Sequence, residues 1–490
     1  MAAAGSYISR MLAPAALPKS LESLEFWYSP RSAVAFLAAL FLLVQSLSSL
    51  IPPFQSPDEI YHLKRAYLLS VGTVVLDKQH EISGGYIDTG LLEYMEHFKD
   101  DRWFPYNPDS PVFAEKPSLA KDIHWSGKVS FSDVPNVAVY FPLPYFPQAL
   151  AFIAGRTTGL SVSESYHLAR CLSLIAALII LYAACRLYPV PPLVAALFLM
   201  PMTLYQLGSA SLDAVSFSTV ALTGALYMRA ASAKLPFTTG MHALLALCLF
   251  SLATTRINLV VLTLLPIALY TTRRSYAYLV SSGAAVALSL MWIAFVLATV
   301  RGGHGNPPEV TSRIVAYYLH HIGSFFGVTY STLTNGTLVQ FYWKMFIGIF
   351  GWSSINIFPG GVLRSWGVFL APTAYTAFSI VLVALAALTF QPNHSPNSGR
   401  GSLWLIGITL LSAFLILPIL LATWTPQPAI FIYGIQGRYF IPTVILLGFA
   451  LFGKRLTMGG TRACCALLFL AAIISVMGMT PVLLTTWWVN

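Results

Sequence analysis

Charged residues are scarce in this sequence. Asp, Glu, Lys and Arg together make up only 9% of its 490 residues, whereas a soluble domain carries roughly 25%. Hydrophobic residues make up 57%, and the mean hydropathy is +0.70. Because each crossing of a bilayer needs only about 20 apolar residues, this composition excludes a soluble fold and predicts a chain that crosses a membrane repeatedly.

Several signatures of catalysis and binding are also missing. The five cysteines show neither a disulfide framework nor metal-ligand spacing, and His304, His320 and His321 have no companions at ligand spacing. No glycine-rich nucleotide cradle and no nucleophile elbow occurs, which argues against a cytosolic nucleotide-driven enzyme. The net charge is +10, but basic residues are dispersed singly or in pairs near helix ends. That distribution is typical of short cytoplasmic loops, so no nucleic-acid partner is expected.

Long apolar runs predict an all-α polytopic membrane protein with roughly 11 to 13 transmembrane helices. The clear runs lie at 33–51, 138–156, 167–187, 190–207, 212–229, 275–300, 367–389, 402–423, 438–453 and 463–486. The stretch 240–270 is too long for one transmembrane span and rather short for two. The run 338–357 either spans the membrane or re-enters it.

The polar material divides the chain into six segments. Arg10, Lys19 and Arg31 precede the first helix and predict a cytoplasmic N-terminus by the positive-inside bias. The segment that follows this helix holds thirteen of the 18 acidic residues and is expected outside. The segments are a cytoplasmic N-terminal segment (1–32), the first transmembrane helix (33–51), an external loop with the catalytic candidate (52–137), a transmembrane bundle (138–300), an external and re-entrant segment (301–365) and C-terminal transmembrane helices (366–490).

The start of the external loop predicts a new helix. Ser56 suits the N-cap, Pro57 the first helical position, and Glu59 completes a capping box with Ser56. Capping is therefore one interpretation of Glu59. Catalysis beside its neighbour, Asp58, is the other.

Asp58 is the strongest candidate for chemistry. On the predicted helix, Asp58, His62 and Arg65 share one face. A carboxylate held at the membrane interface beside a histidine and an arginine suits a general base that deprotonates a hydroxyl nucleophile. The alternative is an anion placed favourably at a helix N-terminus.

A second polar cluster lies at the mouth of a late helix, in the run 433–442. Arginine is the usual residue for bidentate phosphate binding, and Gly437 next to Arg438 permits close backbone approach. Gln436 and Tyr439 favour a ligand site there. The alternative is an arginine that snorkels from a helix end.

Three charged residues fall within or beside apolar runs. Lys344 lies in an aromatic stretch, Asp213 lies at or within a helix end, and Arg256 lies in the middle of the stretch 240–270. Such residues are expensive in a membrane and become functional candidates. Lys344 is expected to pair with a donor phosphate or with a carboxylate such as Asp213, and for all three both function and structural pairing stay open.

Four short elements, in this order along nearly the whole chain, resemble the DUF2142 family of bacterial multi-pass membrane proteins of unknown function. They are Pro57-Asp58-Glu59 with His62 and Arg65, the serine-rich element ending at Asp213, Gly348 to Trp352, and Gly437 to Pro442. That family in turn resembles the GT-C superfamily of glycosyltransferases. The Pro142-Leu-Pro144-Tyr145 element at the start of the next helix is also similar to that superfamily.

The resemblance implies a GT-C-like bundle in the bacterial inner membrane with an external active face. It implies a polyprenyl-phosphate sugar donor, a glycan or glycolipid acceptor and contact with membrane lipid. Asp58 would be the base, with Lys344 and Arg438 near the donor phosphate. The chain departs from some GT-C members in having Asp-Glu rather than Asp-x-Asp, which puts a divalent metal in doubt, so no cofactor is predicted. A large C-terminal external domain is also missing.

Three functions compete. The first is an inverting glycosyltransferase. The second is a transporter or flippase of lipid-linked sugars, in which Lys344, Asp213 and Arg256 line a path. The third is an O-antigen-type polymerase or ligase that uses the stretch 301–337. For the first, the predicted site consists of catalytic Asp58, Glu59 and His62, phosphate-binding Arg438, Lys344, Arg65, Tyr439 and Gln436, and the further candidates Asp213 and Arg256.

Overall fold

The structure is a computed structural model that describes residues 29–79, 82–98, 116–134, 137–232, 235–302, 305–357, 363–390, 396–453 and 456–488. Most of the predicted cytoplasmic segment 1–32, and His304, lie outside these residues. Within them the chain is predominantly helical. The predicted all-α polytopic membrane protein is confirmed.

Six helices are long and apolar enough to cross a membrane: Pro30–Ser48, Val162–Leu187, Tyr276–Thr299, Pro372–Thr389, Arg400–Thr423 and Met458–Trp487. Three shorter apolar helical segments, Thr239–Thr255, Ile257–Arg273 and Gly437–Leu451, accompany them. These counts refer to the part of the chain that the structure describes. The protein is therefore a multi-pass membrane protein.

The segment predicted as an external loop contains a small layer of helices and strands. After α1 (Pro30–Ser48) come α2 (Glu59–Ser70), β1 (Asp77–Gln79), β2 (Ile82–Asp88), α3 (Thr89–His97), α4 (Lys116–Leu119) and β3 (Val129–Asp133). The strands form an antiparallel sheet in the order β1-β2-β3. The Ser83 amide donates to the Arg301 carbonyl at 2.9 Å, so the segment that begins at Arg301 starts beside this sheet.

The middle of the chain forms the buried centre of the bundle. A 3-10 turn (Leu143–Tyr145) leads into α5 (Phe146–Thr158), α6 (Val162–Leu187), α7 (Pro192–Phe198), α8 (Pro201–Leu207), α9 (Asp213–Ala231), α10 (Thr239–Thr255), a 3-10 helix (Ile257–Leu264), α11 (Leu265–Arg273) and α12 (Tyr276–Thr299). The prediction of one helix over 190–207 is wrong. Pro201 disfavours helical backbone at Met200, and Met200 is extended. The stretch 240–270 breaks at Arg256, whose backbone is also extended.

The last part of the chain differs most from the prediction. It comprises α13 (Pro308–His320), α14 (Ile322–Thr334), α15 (Gly336–Gly348), β4 (Ile349–Ile357), β5 (Leu363–Phe369), α16 (Pro372–Thr389), α17 (Pro396–Thr423), a 3-10 turn (Gly437–Phe440), α18 (Ile441–Leu451) and α19 (Met458–Trp487). The polar stretch 301–337 is largely helical rather than a loop. The run 338–357 is not one spanning helix, because α15 ends at Gly348 and an antiparallel hairpin of β4 and β5 follows.

Helix α9 is the centre of this architecture, since its side chains from Asp213 to Ala230 are all buried. It packs against α6, α10 and α18. A β-carbon built on Gly224 would lie 2.5 Å from the Phe449 ring, so a glycine is needed where α9 meets α18. The N-terminus of this buried helix carries Asp213 to the polar site.

Candidate active site

The backbone around Asp58 differs from the predicted cap. Helix α2 begins at Glu59, and Asp58 precedes it with φ +64°, in the left-handed region that few non-glycine residues occupy. The predicted capping box is wrong, because the Ser56 hydroxyl donates to the Gln206 side chain at 2.9 Å and Pro57 lies before the helix. The Asp58 carboxylate makes no capping hydrogen bond. It is free to turn toward another part of the chain.

A chain of alternating charges runs inward from Asp58. Arg438 Nη2 lies 3.0 Å from Asp58 Oδ2, and Arg438 Nη1 lies 3.2 Å from Asp213 Oδ2. Arg256 forms an ion pair with the other oxygen of Asp213. The Gln436 side-chain oxygen accepts a hydrogen bond from Arg438 Nε at 2.7 Å. Two carboxylates thus neutralise two guanidinium groups, and the amide of Gln436 fixes the orientation of the central one.

The members of this charge chain differ in access to solvent. The side chain of Asp58 is 28% exposed, whereas those of Arg438 and Asp213 are 5% and 3% exposed. The Arg256 side chain is 12% exposed. Asp58 is therefore the member that a ligand meets first. The buried position of Arg438 is not that of a snorkelling arginine, whose charged head stays in water.

An aromatic ring holds the two arginines from one side. The centre of each guanidinium, that of Arg256 and that of Arg438, lies 5.5 Å from the centre of the Tyr439 ring. Cation–π contacts of this kind stabilise buried guanidinium groups. Tyr439, predicted as a phosphate ligand, thus lies beside the charge chain as the ring that supports the two arginines.

His62 lies one helical turn beyond Asp58 and is buried. Its Nδ1 is 2.7 Å from the Tyr145 hydroxyl oxygen, and its ring stacks on Tyr140 with the centres 6.2 Å apart. Burial lowers the pKa of His62 to about 4, and the opposing effect of the Asp58 carboxylate is smaller. His62 is therefore neutral near pH 7, and it interacts with Tyr145 through a hydrogen bond rather than through a charge.

Glu59 does not accompany Asp58. It is fully buried, and its carboxylate accepts hydrogen bonds from the Tyr166 hydroxyl at 3.0 Å, the Ala210 amide at 2.7 Å and Arg170 Nε at 3.3 Å. Because these internal donors occupy the carboxylate, we assign Glu59 to the scaffold and remove it from the predicted catalytic residues.

Arg170, which was not among the residues predicted from the sequence, holds the segment after α1 in place. Beyond its pair with Glu59, Arg170 donates to the carbonyls of Ser48 at 3.2 Å, Ile51 at 2.8 Å and Pro52 at 3.1 Å. A signal was available, since Arg170 lies within the apolar run 167–187 and charges there are costly. The pair Glu59–Arg170 anchors the turn that presents Asp58.

The four short elements singled out in the sequence meet at this site. Trp352 Nε1 donates to the Phe54 carbonyl at 3.2 Å, so the Gly348–Trp352 element supports the segment before Asp58. The amide of Asp213 faces the Ser211 hydroxyl at 3.3 Å, which orders the start of α9. A β-carbon on Gly437 would lie 2.2 Å from the Phe346 amide nitrogen, so the element containing Arg438 packs directly on α15.

This convergence of elements agrees with a comparison of the whole sequence. A family model described as a predicted membrane protein, DUF2142, matches residues 40–447. The chain belongs to the DUF2142 family. No curated protein and no solved structure matches it.

In this DUF2142 protein, two predicted phosphate ligands lie apart from the charge chain. The Lys344 ammonium lies 6.0 Å from the centre of the Tyr375 ring, and its proposed partner Asp213 pairs with arginines instead. Arg65 is buried two turns along α2 from Asp58 and donates to the Val74 carbonyl at 3.0 Å. Of the predicted phosphate ligands, the structure brings Arg438, Gln436 and Tyr439 together with Asp58.

Among the residues that the structure describes, no group of three or more His, Cys, Asp or Glu side chains is placed to hold a metal ion. The carboxylates of Asp58 and Asp213 are each held by Arg438. The arrangement offers one reachable carboxylate, one buried guanidinium and a neutral imidazole. Chemically, it is suited to exchange a carboxylate for another oxyanion on Arg438.

Proposed function

We propose that this DUF2142 protein is a membrane glycosyltransferase. It transfers a sugar from a polyprenyl-phosphate-linked donor to a cell-envelope glycan or lipid acceptor on the external face of the bacterial inner membrane. The observation that carries the proposal is the Arg438 guanidinium, which is shared between the reachable carboxylate of Asp58 and the buried carboxylate of Asp213.

The charge balance supports a phosphate ligand. With Asp58 in place, the two carboxylates and two guanidiniums of the cluster sum to zero. When Asp58 turns away from Arg438, the remaining Asp213, Arg256 and Arg438 carry one net positive charge. A phosphodiester group of the donor neutralises that charge and accepts the hydrogen bonds that Asp58 gives up. Asp213 stays paired throughout, so Arg438 is never a buried cation without a counter-ion.

The same exchange releases the base. Asp58, freed from Arg438, accepts the proton of the acceptor hydroxyl while the hydroxyl oxygen forms a bond to the anomeric carbon of the donor sugar. The bond between that carbon and the phosphate oxygen breaks, and its electron pair leaves with the phosphate. Arg438 stabilises the charge that develops on this leaving group. Attack from the face opposite the phosphate inverts the configuration of the sugar.

The placement of the second candidate loop favours this function over a polymerase or ligase. His320 and His321 lie in the 301–337 stretch expected to serve that activity, and each places Nδ1 near the carbonyl oxygen four residues earlier in its own helix, at 2.8 and 2.9 Å. Asp58 and Arg438 instead join the start of the 52–137 segment to the turn before α18. For the transporter, Lys344 contacts the Tyr375 ring, whereas Asp213 pairs with Arg256 and Arg438, so Lys344 is not ion-paired with the other two residues of the proposed path.

Binding of polyprenyl monophosphate to the purified full chain in lipid nanodiscs tests the proposal. We expect wild-type protein to bind this lipid and Arg438→Gln to weaken binding at least about tenfold, or 1.4 kcal/mol. Arg313→Gln is the matched control, because Arg313 is an exposed arginine on α13. No binding by the wild-type protein, or an equal loss in both variants, would remove the basis for a lipid-phosphate donor.

A further inference from the structure

Arg65 is a buried cation without a counter-ion among the described residues. Its side chain is 1% exposed, and its Nη2 donates to the Val74 carbonyl at 3.0 Å. Its Nε and Nη1 have no hydrogen-bond partner in the part of the chain that the structure describes. Two of the three guanidinium nitrogens therefore retain unused N–H groups in a site that water does not reach.

A second buried arginine shows how unusual this arrangement is. Arg170 is as buried as Arg65, yet its Nε, Nη1 and Nη2 all have partners, and Glu59 supplies the opposite charge. A buried donor left unpaired destabilises the fold, and does so more strongly when it is charged. Arginine does not escape that cost by losing its proton, although burial lowers the pKa of Arg65 below its usual range. An unpaired buried guanidinium does not stabilise the fold, which points to another role for Arg65.

The position of Arg65 relates it to the proposed reaction centre. It follows Asp58 by seven residues, which places it about 10 Å further along the axis of α2. His62 lies between them on the helix, and its Nδ1 is 2.7 Å from the Tyr145 hydroxyl oxygen. The helix thus presents a base at one end, neutral hydrogen-bonding groups in the middle and a cation at the other end.

Access to Arg65 depends on one exposed turn. The Val74 carbonyl that it contacts belongs to the turn after α2, in which Val71, Gly72, Val74 and Val75 are exposed. Gly72 has φ +83°, a conformation that glycine adopts without strain. Breaking the hydrogen bond to Val74 and moving this turn opens the guanidinium to a ligand.

We propose that Arg65 binds the carboxylate of an acidic sugar substrate, so that the enzyme handles a uronic-acid type of sugar. This inference rests on the proposed function, because it assumes that Asp58 and Arg438 hold the reacting hydroxyl and the phosphate. A sugar unit between those groups and Arg65 extends along α2 past His62 and Tyr145. Its carboxylate then replaces the Val74 carbonyl on Nη2 and accepts a second hydrogen bond from the neighbouring Nε or Nη1.

The first test is the stability of the ligand-free protein and does not depend on sugar transfer. Replacing an unpaired buried cation by an apolar residue of similar length removes its desolvation cost. We expect Arg65→Met to leave the unfolding temperature of the full chain in detergent unchanged or to raise it by about 2 °C. Arg170→Met, the matched buried arginine, is expected to lower it by many degrees or to prevent folding. A large fall for Arg65→Met as well would assign Arg65 to the scaffold and overturn the inference.

The second test measures binding with glucuronate and with glucose, which differ in the acidic group, and with inorganic phosphate. We expect glucuronate to raise the unfolding temperature of wild-type protein and glucose to leave it unchanged. The shift should vanish in Arg65→Met, weaken in Arg65→Lys and persist in Arg438→Gln. Loss of the shift in Arg438→Gln alone, an equal Arg65-dependent shift with phosphate, or no shift at all would each overturn the inference. The glycosyltransferase proposal would survive these outcomes, since polyprenyl phosphate binding at Arg438 tests it separately.

Discussion

The Arg438 guanidinium lies 3.0 Å from the Asp58 carboxylate although 380 positions separate them in the chain. Neither residue lies within an α-helix. Asp58 lies on left-handed backbone before α2, and Arg438 lies in the 3-10 turn before α18. Side chains at such points are held by the contacts of the surrounding helices, here by α9 through Asp213 and by α15 through Gly437. The contact between Asp58 and Arg438 therefore depends on the packing of the whole bundle.

Replacing Asp58 by asparagine separates its two proposed roles. Asp58→Asn should abolish sugar transfer because the amide cannot accept the hydroxyl proton. It should also bind polyprenyl phosphate more tightly, by about tenfold or 1.4 kcal/mol, because a competing carboxylate no longer occupies Arg438. Transfer assays and nanodisc binding measure the two effects.

Asp133→Asn is the control for this variant, since that carboxylate is 43% exposed and belongs to the same segment. It should change neither quantity. Residual transfer near the wild-type rate in Asp58→Asn would rule out Asp58 as the base, and unchanged lipid binding would rule out the exchange at Arg438.

Gly437 permits the close approach that positions Arg438. In Gly437→Ala the added methyl group would meet the Phe346 amide nitrogen at 2.2 Å and the Tyr342 carbonyl oxygen at 2.4 Å, so the turn must move away from α15. We expect lipid-phosphate binding to fall at least about tenfold and the unfolding temperature to drop. Gly407→Ala is the control, because nothing lies within 4 Å of a β-carbon there. A Gly437→Ala protein that binds and unfolds like wild type would show that this contact is not needed.

Glu59→Gln tests the assignment of Glu59 to the scaffold. Removing one charge from a buried ion pair leaves Arg170 uncompensated and costs about 3–5 kcal/mol. The free energy of unfolding in detergent should fall by that order, while the transfer rate per folded molecule stays within a few-fold of wild type. Exposed Glu309→Gln on α13 should change neither. A stable but inactive Glu59→Gln protein would return Glu59 to the catalytic residues.

The buried imidazole of His62 makes stability depend on pH. The pKa is about 4 for folded His62 and 6.5 for an ordinary histidine, so between these values the unfolded state binds more protons. Stability should therefore be complete above pH 6.5 and fall by roughly 3 kcal/mol as the pH decreases to 4. His62→Gln should flatten this dependence in chemical denaturation, and His124→Gln, at an exposed histidine, should not. Equal slopes for wild type and His62→Gln would contradict a neutral buried His62.

The sequence indicated where the charged candidate residues are concentrated. Asp58 and Arg438 were candidates for a base and a phosphate ligand, and Asp213 and Arg256 were candidates because charge is costly within or beside an apolar run. Short elements with glycine, serine or tryptophan accompanied them. The family model matches residues 40–447, a range that contains all four of these residues.

The sequence by itself determined the class of protein and the approximate positions of most long helices, because apolar length is a local property that the bilayer selects. Only the tertiary structure decided which charges are partners. It paired Glu59 with Arg170, set Lys344 beside Tyr375, left Arg65 without a counter-ion among the described residues and joined Asp58 to Asp213 through Arg438. Partners separated by hundreds of residues depend on how α2, α6, α9 and the turn before α18 pack together, and no local pattern of residues encodes that packing.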